Sequence, residues 1–299
     1  MYVFSMILAN IPLVFSLIPI ILCTFAAVME YTLNIKGHLM DLRTPRVMGI
    51  LNATPDSFYD ASRNTTIDEV ARRADELVAQ GADIIDVGAC STRPGADFAT
   101  EAEEMERLRM ALKVVTARHA GVALSVDTFR PDVARMAVEE YGVDIINDVS
   151  EGGTDPESMF RMVARLGVAY VLTSCQPTLR DTLLTLAAKV QLLRDFGQKD
   201  IIIDPGLGFG KTVEQNFNLL AALDKLSVLE LPVLVGVSRK SMIWRTLECS
   251  PQQALNGTTV LNTVALMKGA SILRVHDVRE AVECLRLYEQ LKIEKSVNR

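Results

Sequence analysis

No two cysteines of this 299-residue chain stand in the C-x-x-C spacing of a zinc site or a redox disulfide; Cys23, Cys90, Cys175, Cys249 and Cys284 are scattered. An odd, unpatterned set argues against structural zinc and for a reducing compartment, each thiol reading as a free, buried side chain. Histidine is scarce, with three residues in the whole chain, and no His/Asp/Glu ligand cage is visible. Positive charge is in deficit: the net charge is −6 and the pI near 5.3. That balance excludes a broad nucleic-acid surface, but a small anion needs only a local cluster of cations. No Pro/Gly/Ser-rich linker divides the chain, so its length is read as one large domain.

Charge is missing altogether from Tyr2 to Met29. The run is long enough to span a bilayer. Pro12 and Pro19 would kink it, no basic segment precedes it, and no A-x-A site ends it. It is read as an anchor, an export signal or, by preference, translation from a start codon upstream of the true one. The boundary falls at residue 29: an apolar extension over 1–29, and a folded domain over 30–299. The expected location is cytoplasmic, with membrane association only if the extension is translated.

What the domain does contain is a repeating pattern of short apolar runs that stop at polar residues. The pattern is clearest at Ile201-Ile202-Ile203-Asp204, which a glycine-rich loop follows, Pro205-Gly206-Leu207-Gly208-Phe209-Gly210-Lys211. The loop is not a Walker A motif, because Pro205 stands where the first glycine belongs. Nor is it a dinucleotide fingerprint, because its glycines run G-x-G-x-G. It reads as a buried strand delivering one carboxylate to its C-terminal end. Similar runs reach Asn52, Gly88, Asp127, Asn147-Asp148, Thr173-Ser174, Ser238-Arg239-Lys240 and Arg274, with His276 just beyond.

Amphipathic segments lie between these runs, among them Ile67–Gln80, Pro131–Glu140, Pro156–Leu166 and Pro251–Lys268, three of them opening on proline. Ahead of the first run, Leu33 and Ile35 alternate with polar residues up to Lys36-Gly37, which predicts a β-hairpin. Helix and short parallel strand in repetition predict an α/β fold, a (β/α)8 TIM barrel with a short N-terminal β-hairpin; a doubly wound open sheet is the alternative. In such a barrel all strand ends face one mouth. Here they would ring it with Asn52, Thr92-Arg93, Asp127, Asn147, Ser174, Asp204, Arg239-Lys240-Ser241, Arg274 and His276.

Gly49-Ile50-Leu51-Asn52-Ala53-Thr54-Pro55-Asp56-Ser57-Phe58 resembles the first-strand signature of dihydropteroate synthases. Ser91-Thr92-Arg93-Pro94-Gly95, Ser125-Val126-Asp127-Thr128, Ile146-Asn147-Asp148-Val149, the Asp204–Lys211 loop, Ser238-Arg239-Lys240-Ser241 and Arg274-Val275-His276-Asp277 are similar to the family's further motifs, in the family's order. The resemblance runs from about Tyr31 to Leu291 and implies a transferase of folate biosynthesis. Its reaction joins p-aminobenzoate to 6-hydroxymethyl-7,8-dihydropterin diphosphate and releases diphosphate.

By that resemblance Asp127, Asn147, Asp204 and Lys240 bind the pterin. Asp127, Asp204, Lys240 and Arg274 carry catalysis. Asn52, Thr92, Arg93, Arg274 and His276 bind the diphosphate. Phe58, Pro94, Phe209 and Ser241 hold p-aminobenzoate. The implied cofactor is Mg2+, bridging phosphate oxygens with Asn52 as its protein ligand. The implied assembly is a homodimer, the partners being small molecules and no nucleic acid. Sulfonamides, which mimic the aryl amine, are the implied inhibitors.

The chain departs from the family at Thr173-Ser174-Cys175, where Met-His-Met is common, and at Cys90, where Glu is common. The rival readings are a corrinoid methyltransferase using methyltetrahydrofolate, which needs no diphosphate site, and a non-catalytic pterin-binding barrel. If Arg274 acts at the site and not as a surface partner of Asp277, Arg274→Ala is expected to abolish turnover and spare stability.

Overall fold

The computed structural model describes residues 31–53, 63–90, 99–153 and 155–297. The expectation about residues 1–29 lies outside the described residues, as do Phe58, Thr92, Arg93 and Pro94.

The predicted hairpin is present. Strand β1 (Thr32–Ile35) pairs antiparallel with β2 (His38–Asp41), Ile35 facing His38. Lys36 and Gly37 turn the chain with φ of 51° and 80°. Positive φ at both central residues gives a turn whose twist matches that of the flanking strands.

Eight parallel strands follow: β3 (Arg46–Asn52), β4 (Ile84–Gly88), β5 (Ala123–Asp127), β6 (Ile145–Asp148), β7 (Ala169–Thr173), β8 (Ile201–Asp204), β9 (Leu234–Val235) and β10 (Ile272–Val275). They are ordered β8-β7-β6-β5-β4-β3-β10-β9. A parallel bridge from Ile203 to Val233 joins the two edges, and the Ile203 N–H donates to the Pro232 carbonyl at 3.0 Å. The sheet therefore closes into the predicted barrel. Strand β9 is shorter than the apolar run Val233–Val237 suggested. The Lys240 N–H already donates to the Val237 carbonyl at 3.1 Å, so the chain is turning by then.

Around the barrel run α1 (Arg63–Ala79), α2 (Glu101–Arg118), α3 (Pro131–Tyr141), α4 (Pro156–Leu166), α5 (Leu179–Asp195), α6 (Val213–Ala221), α7 (Ser241–Thr246), α8 (Leu255–Met267) and α9 (Val278–Val297). Pro131 and Pro156 sit in the first turn of their helices, as their fixed φ favours. Pro251 does not open a long helix. It starts a 3-10 turn, Pro251–Gln253, and α8 begins only at Leu255. Arg239 Nη1 binds the carbonyls of Pro251 and Gln252 at 3.1 and 2.6 Å, the groups a continuous helix would use. Among the described residues, no helix is long and apolar enough to cross a membrane. Cys90, Cys175, Cys249 and Cys284 are free, although only Cys284 is fully buried.

Alternate residues of a strand face the same side, and this period sorts the barrel interior into levels. The lowest is apolar: Met48, Ile84, Ala123, Ile145, Ala169, Val171, Ile202, Leu234 and Ile272 form one cluster with Leu33, Ile35 and Leu42 of the hairpin segment. The hairpin thus covers the N-terminal end of the barrel. Two residues further along six strands the level turns polar, at Asp86, Ser125, Asn147, Thr173, Asp204 and Arg274. The next step reaches the rim at Asn52, Gly88, Asp127 and His276.

Candidate active site

The polar level is held together by a carboxylate that the sequence reading did not single out. Asp86 is fully buried in β4. Its Oδ2 accepts from Arg274 Nε at 2.6 Å and from Asn147 Nδ2 at 3.1 Å, and its Oδ1 accepts from Ser125 Oγ at 2.6 Å. An ionised carboxylate only accepts, so Asn147 must turn its NH2 toward Asp86. The opposite face of the amide, Asn147 Oδ1, is buried without a partner. An orphaned acceptor at this depth is costly unless a ligand N–H completes it. The available signal was a lone acid inside the apolar run Ile84-Ile85-Asp86-Val87.

Arg274 bridges two acids, its Nη2 donating to Asp127 Oδ2 at 2.7 Å. Burial disfavours its charge, but Asp86 and Asp127 outweigh that and hold its pKa above the usual value. It is not the surface partner of Asp277. That carboxylate accepts two bonds from Arg239, at 2.9 and 2.8 Å. Arg239 (φ 53°) thereby pins the turn that presents Lys240.

Burial pushes the Asp127 carboxyl up to about 7; Arg274 pulls it down, and Asp86, Asp148 and Glu104 push it further up. Asp204 is likewise raised, by burial first, with Lys240 and the Gly206 N–H opposing the rise. Lys240 is brought down to about 8, again by burial, with Asp204 resisting. Asp127 and Lys240 are thereby brought to titrate close to one another near neutral pH, a condition typical of functional sites.

The glycine-rich loop is built tightly around this acid. Gly206 (φ +68°) donates its N–H to Asp204 Oδ1 at 2.7 Å. A Cβ on it would stand 1.9 Å from the Ser174 carbonyl oxygen, so only glycine fits. Lys211 Nζ gathers the carbonyls of Ser174, Gly206 and Phe209 at 3.0, 2.9 and 3.3 Å. Lys240 Nζ donates to the Leu207 carbonyl and lies 4.6 Å from the centre of the Phe209 ring. Ser241 opens α7 directly beyond it.

His276 is hydrogen-bonded to the start of the turn that presents Lys240. Its N–H donates to Ser238 Oγ at 3.1 Å, and its Nδ1 lies 3.0 Å from that oxygen. Burial, and then Arg274, lowers its pKa to about 4, so the ring is neutral at pH 7. The family departure at Thr173-Ser174-Cys175 divides between two roles. Thr173 faces the interior, while the Cys175 N–H and Ser174 Oγ donate to Glu151 Oε1 at 2.6 and 3.2 Å. Beside the pit a hollow of about 600 Å3 opens between the loops after β5 and β6, lined by Phe129, Arg130, Val149, Ser150 and Phe209 among others. Of the residues expected at the mouth, only Phe209 is among its walls.

Of the residues expected at the mouth, the structure brings together Asn52, Asp127, Asn147, Asp204, Phe209, Lys240, Ser241, Arg274 and His276. The model of the pterin binding enzyme family matches residues 48–276. A dihydropteroate synthase of Streptococcus pyogenes is 40% identical over 255 residues, spanning 82% of this chain and 95% of that protein. The Xanthomonas albilineans dihydropteroate synthase solved with 4-aminobenzoic acid superposes with a TM-score of 0.83 at 36% identity, covering 88% of this chain and 98% of that one. The Yersinia pestis dihydropteroate synthase in a sulfonamide drug complex superposes with a TM-score of 0.81 at 34% identity, covering 88% and 100%.

Proposed function

This chain belongs to the dihydropteroate synthases among the pterin-binding enzymes, and from that premise we propose how its barrel mouth divides the work. The enzyme condenses p-aminobenzoate with 6-hydroxymethyl-7,8-dihydropterin diphosphate. The bond from the exocyclic methylene to the diphosphate oxygen breaks, the aryl nitrogen forms the new C–N bond, and the amine loses a proton.

The pterin ring lies in the polar level. Asp204 accepts two neighbouring N–H groups of the ring side by side, the pairing geometry a carboxylate offers to arginine. Asn147 Oδ1, already orphaned by the bond of its NH2 to Asp86, accepts another. Lys240 donates to the ring from above. The orphaned Asn147 oxygen is the single observation that carries this reading, since it asks for a donor inside a cavity lined by acids.

Asp127 faces the reacting methylene. As the C–O bond breaks, positive charge spreads over ring and methylene, and an ionised carboxylate fixed beside it stabilises that charge without reorganising. Arg274 serves both halves, orienting Asp127 and presenting charge to the departing diphosphate; by the family resemblance Thr92 and Arg93 are read as its further ligands. His276, neutral at pH 7, contributes an N–H and not a cation. The aryl amine is neutral and needs placement more than a base. Phe209 packs on its ring and Ser241 holds its carboxylate; by the family resemblance Phe58 and Pro94 are read as belonging to the same subsite. A sulfonamide competes for the same place.

Mg2+ would supply positive charge to neutralise the leaving diphosphate. Asn52 would hold it: its amide oxygen is a hard ligand. That oxygen lies over Gly88, where an added Cβ would make an ordinary contact with it at 3.6 Å. We read the assembly as a homodimer through α8 and α9, whose Val260, Met267, Leu287 and Leu291 are exposed apolar side chains. Light scattering tests that reading, and the location is read as cytoplasmic. The decisive assay mixes purified protein, both substrates and Mg2+ and measures diphosphate and 7,8-dihydropteroate; turnover is expected, and its loss in Asp204→Asn. Absence of diphosphate release from the wild type sinks the proposal.

A further inference from the structure

We propose that Thr173 is a further pterin-binding residue, its hydroxyl joining Asn147 and Asp204 along the bonding edge that meets the ring. The inference rests on the placement of the pterin argued above and adds a contact to it.

Thr173 ends β7, and its Cα partner in β8 is Asp204. Paired residues of parallel strands point to the same face, so Thr173 and Asp204 share the barrel interior. Two residues before it stands Val171 of the apolar level, which fixes the same direction. The side chain is fully buried, and Thr173 Oγ1 has no hydrogen-bond partner.

The other buried hydroxyls nearby are satisfied. Ser125 Oγ donates to Asp86, and Ser238 Oγ accepts from the His276 N–H. Thr258, in a helix, donates to its own Ala254 carbonyl at 2.9 Å, an escape that a strand residue lacks. Among the described residues, Thr173 is the one buried hydroxyl left in this state.

Its surroundings explain why no protein group completes it. The backbone around it is already engaged: the Ser174 N–H donates to the Asp204 carbonyl at 2.8 Å, and the Ser174 carbonyl accepts from Lys211. Thr173 Cγ2 lies 3.0 Å from the point where a Cβ on Gly206 would stand. The methyl is thus packed on the Gly206 turn, and a β-branched side chain has few other rotamers. The hydroxyl is the part of this inward-directed side chain that the Gly206 turn does not hold. It can both donate and accept, which suits an edge of a pterin, where N–H groups and bare ring nitrogens alternate.

The test is calorimetric titration of 6-hydroxymethylpterin into wild type, Thr173→Val, Thr173→Ser and Asp204→Asn, with a thermal melt of each ligand-free protein. Valine is nearly isosteric and removes only the hydroxyl. We expect Thr173→Val to bind about fivefold more weakly, the loss of one neutral hydrogen bond, while its melting temperature stays level or rises because an orphaned hydroxyl has gone. Thr173→Ser is expected to recover most of the affinity. Unchanged affinity in Thr173→Val overturns the proposal and means that the hydroxyl meets only water. So does a loss of affinity that tracks a fall in melting temperature, which marks a packing role. Asp204→Asn separates the two levels of the argument. If it binds like wild type, the placement of the pterin itself is wrong; if it loses binding while Thr173→Val does not, only the Thr173 contact is refuted.

Discussion

Arg274 donates from Nη2 to Asp127 Oδ2 across 2.7 Å, tying the residue read as an anion ligand to the acid read as the stabiliser of the reacting carbon. Neither group can be changed without releasing the other. The same arginine holds Asp86 by its Nε, so a single side chain spans the barrel interior from β10 to β4 and β5.

This coupling changes what Arg274→Ala should do. The sequence suggested lost turnover with stability spared. The structure puts the guanidinium between two carboxylates with its side chain only 16% exposed. Breaking a buried pair by removing one partner costs about 3–5 kcal/mol. Both turnover and melting temperature are therefore expected to fall in Arg274→Ala. Arg274→Lys keeps the charge and should retain most of the stability while losing the two-pronged grip and most of the rate. Melts and steady-state rates of the two variants check this.

The pH dependence of kcat/KM for the pterin substrate should be bell-shaped and narrow. In the proposed mechanism Asp127 acts ionised; burial places its pKa at about 7, so activity should rise as pH passes through that value. In the same mechanism Lys240 acts protonated; burial places its pKa at about 8, so activity should fall above it. A profile flat from pH 6 to 9 would contradict both assignments.

Asp86→Asn should move the acid limb of that profile to lower pH. Asp127 is faced by Arg274, Asp86, Asp148 and Glu104. Neutralising Asp86 removes one negative neighbour and leaves Arg274 to Asp127, and both changes favour the ionised acid. An asparagine in place of Asp86 can still accept from Arg274 and Asn147 on its oxygen and donate to Ser125, so the geometry is kept. An acid limb that stays in place shows that Asp86 has only a packing role.

Gly206→Ala should be among the most damaging small substitutions in the chain. The new methyl meets the Ser174 carbonyl oxygen at 1.9 Å, and the φ of +68° adds backbone strain. Strain of the second kind alone costs about 1–3 kcal/mol, and the clash adds to it. Urea denaturation should show a clear loss, whereas Gly37→Ala, with open space around it, should be milder.

The strand ends were legible because strands must stop at polar residues, and a barrel gathers all such stops at one mouth. Asp127, Asp204 and Arg274 were found that way. Asp86 and Thr173 were harder to see for opposite reasons. Asp86 lies inside an apolar run, where a reader scanning for ends passes over it. Thr173 stands at an end, but threonine is ordinary strand composition, and nothing in a sequence reveals whether its hydroxyl has a partner. The shortening of β9 and the break at Pro251 follow from Arg239, whose bonds to Asp277, Pro251 and Gln252 join segments too distant for a local pattern to show.

The hairpin has a kinetic consequence. With Leu33, Ile35 and Leu42 stoppering one end, the barrel is a cul-de-sac with a single doorway. On the placement of the pterin proposed above, the ring that reaches deepest is expected to bind before the amine.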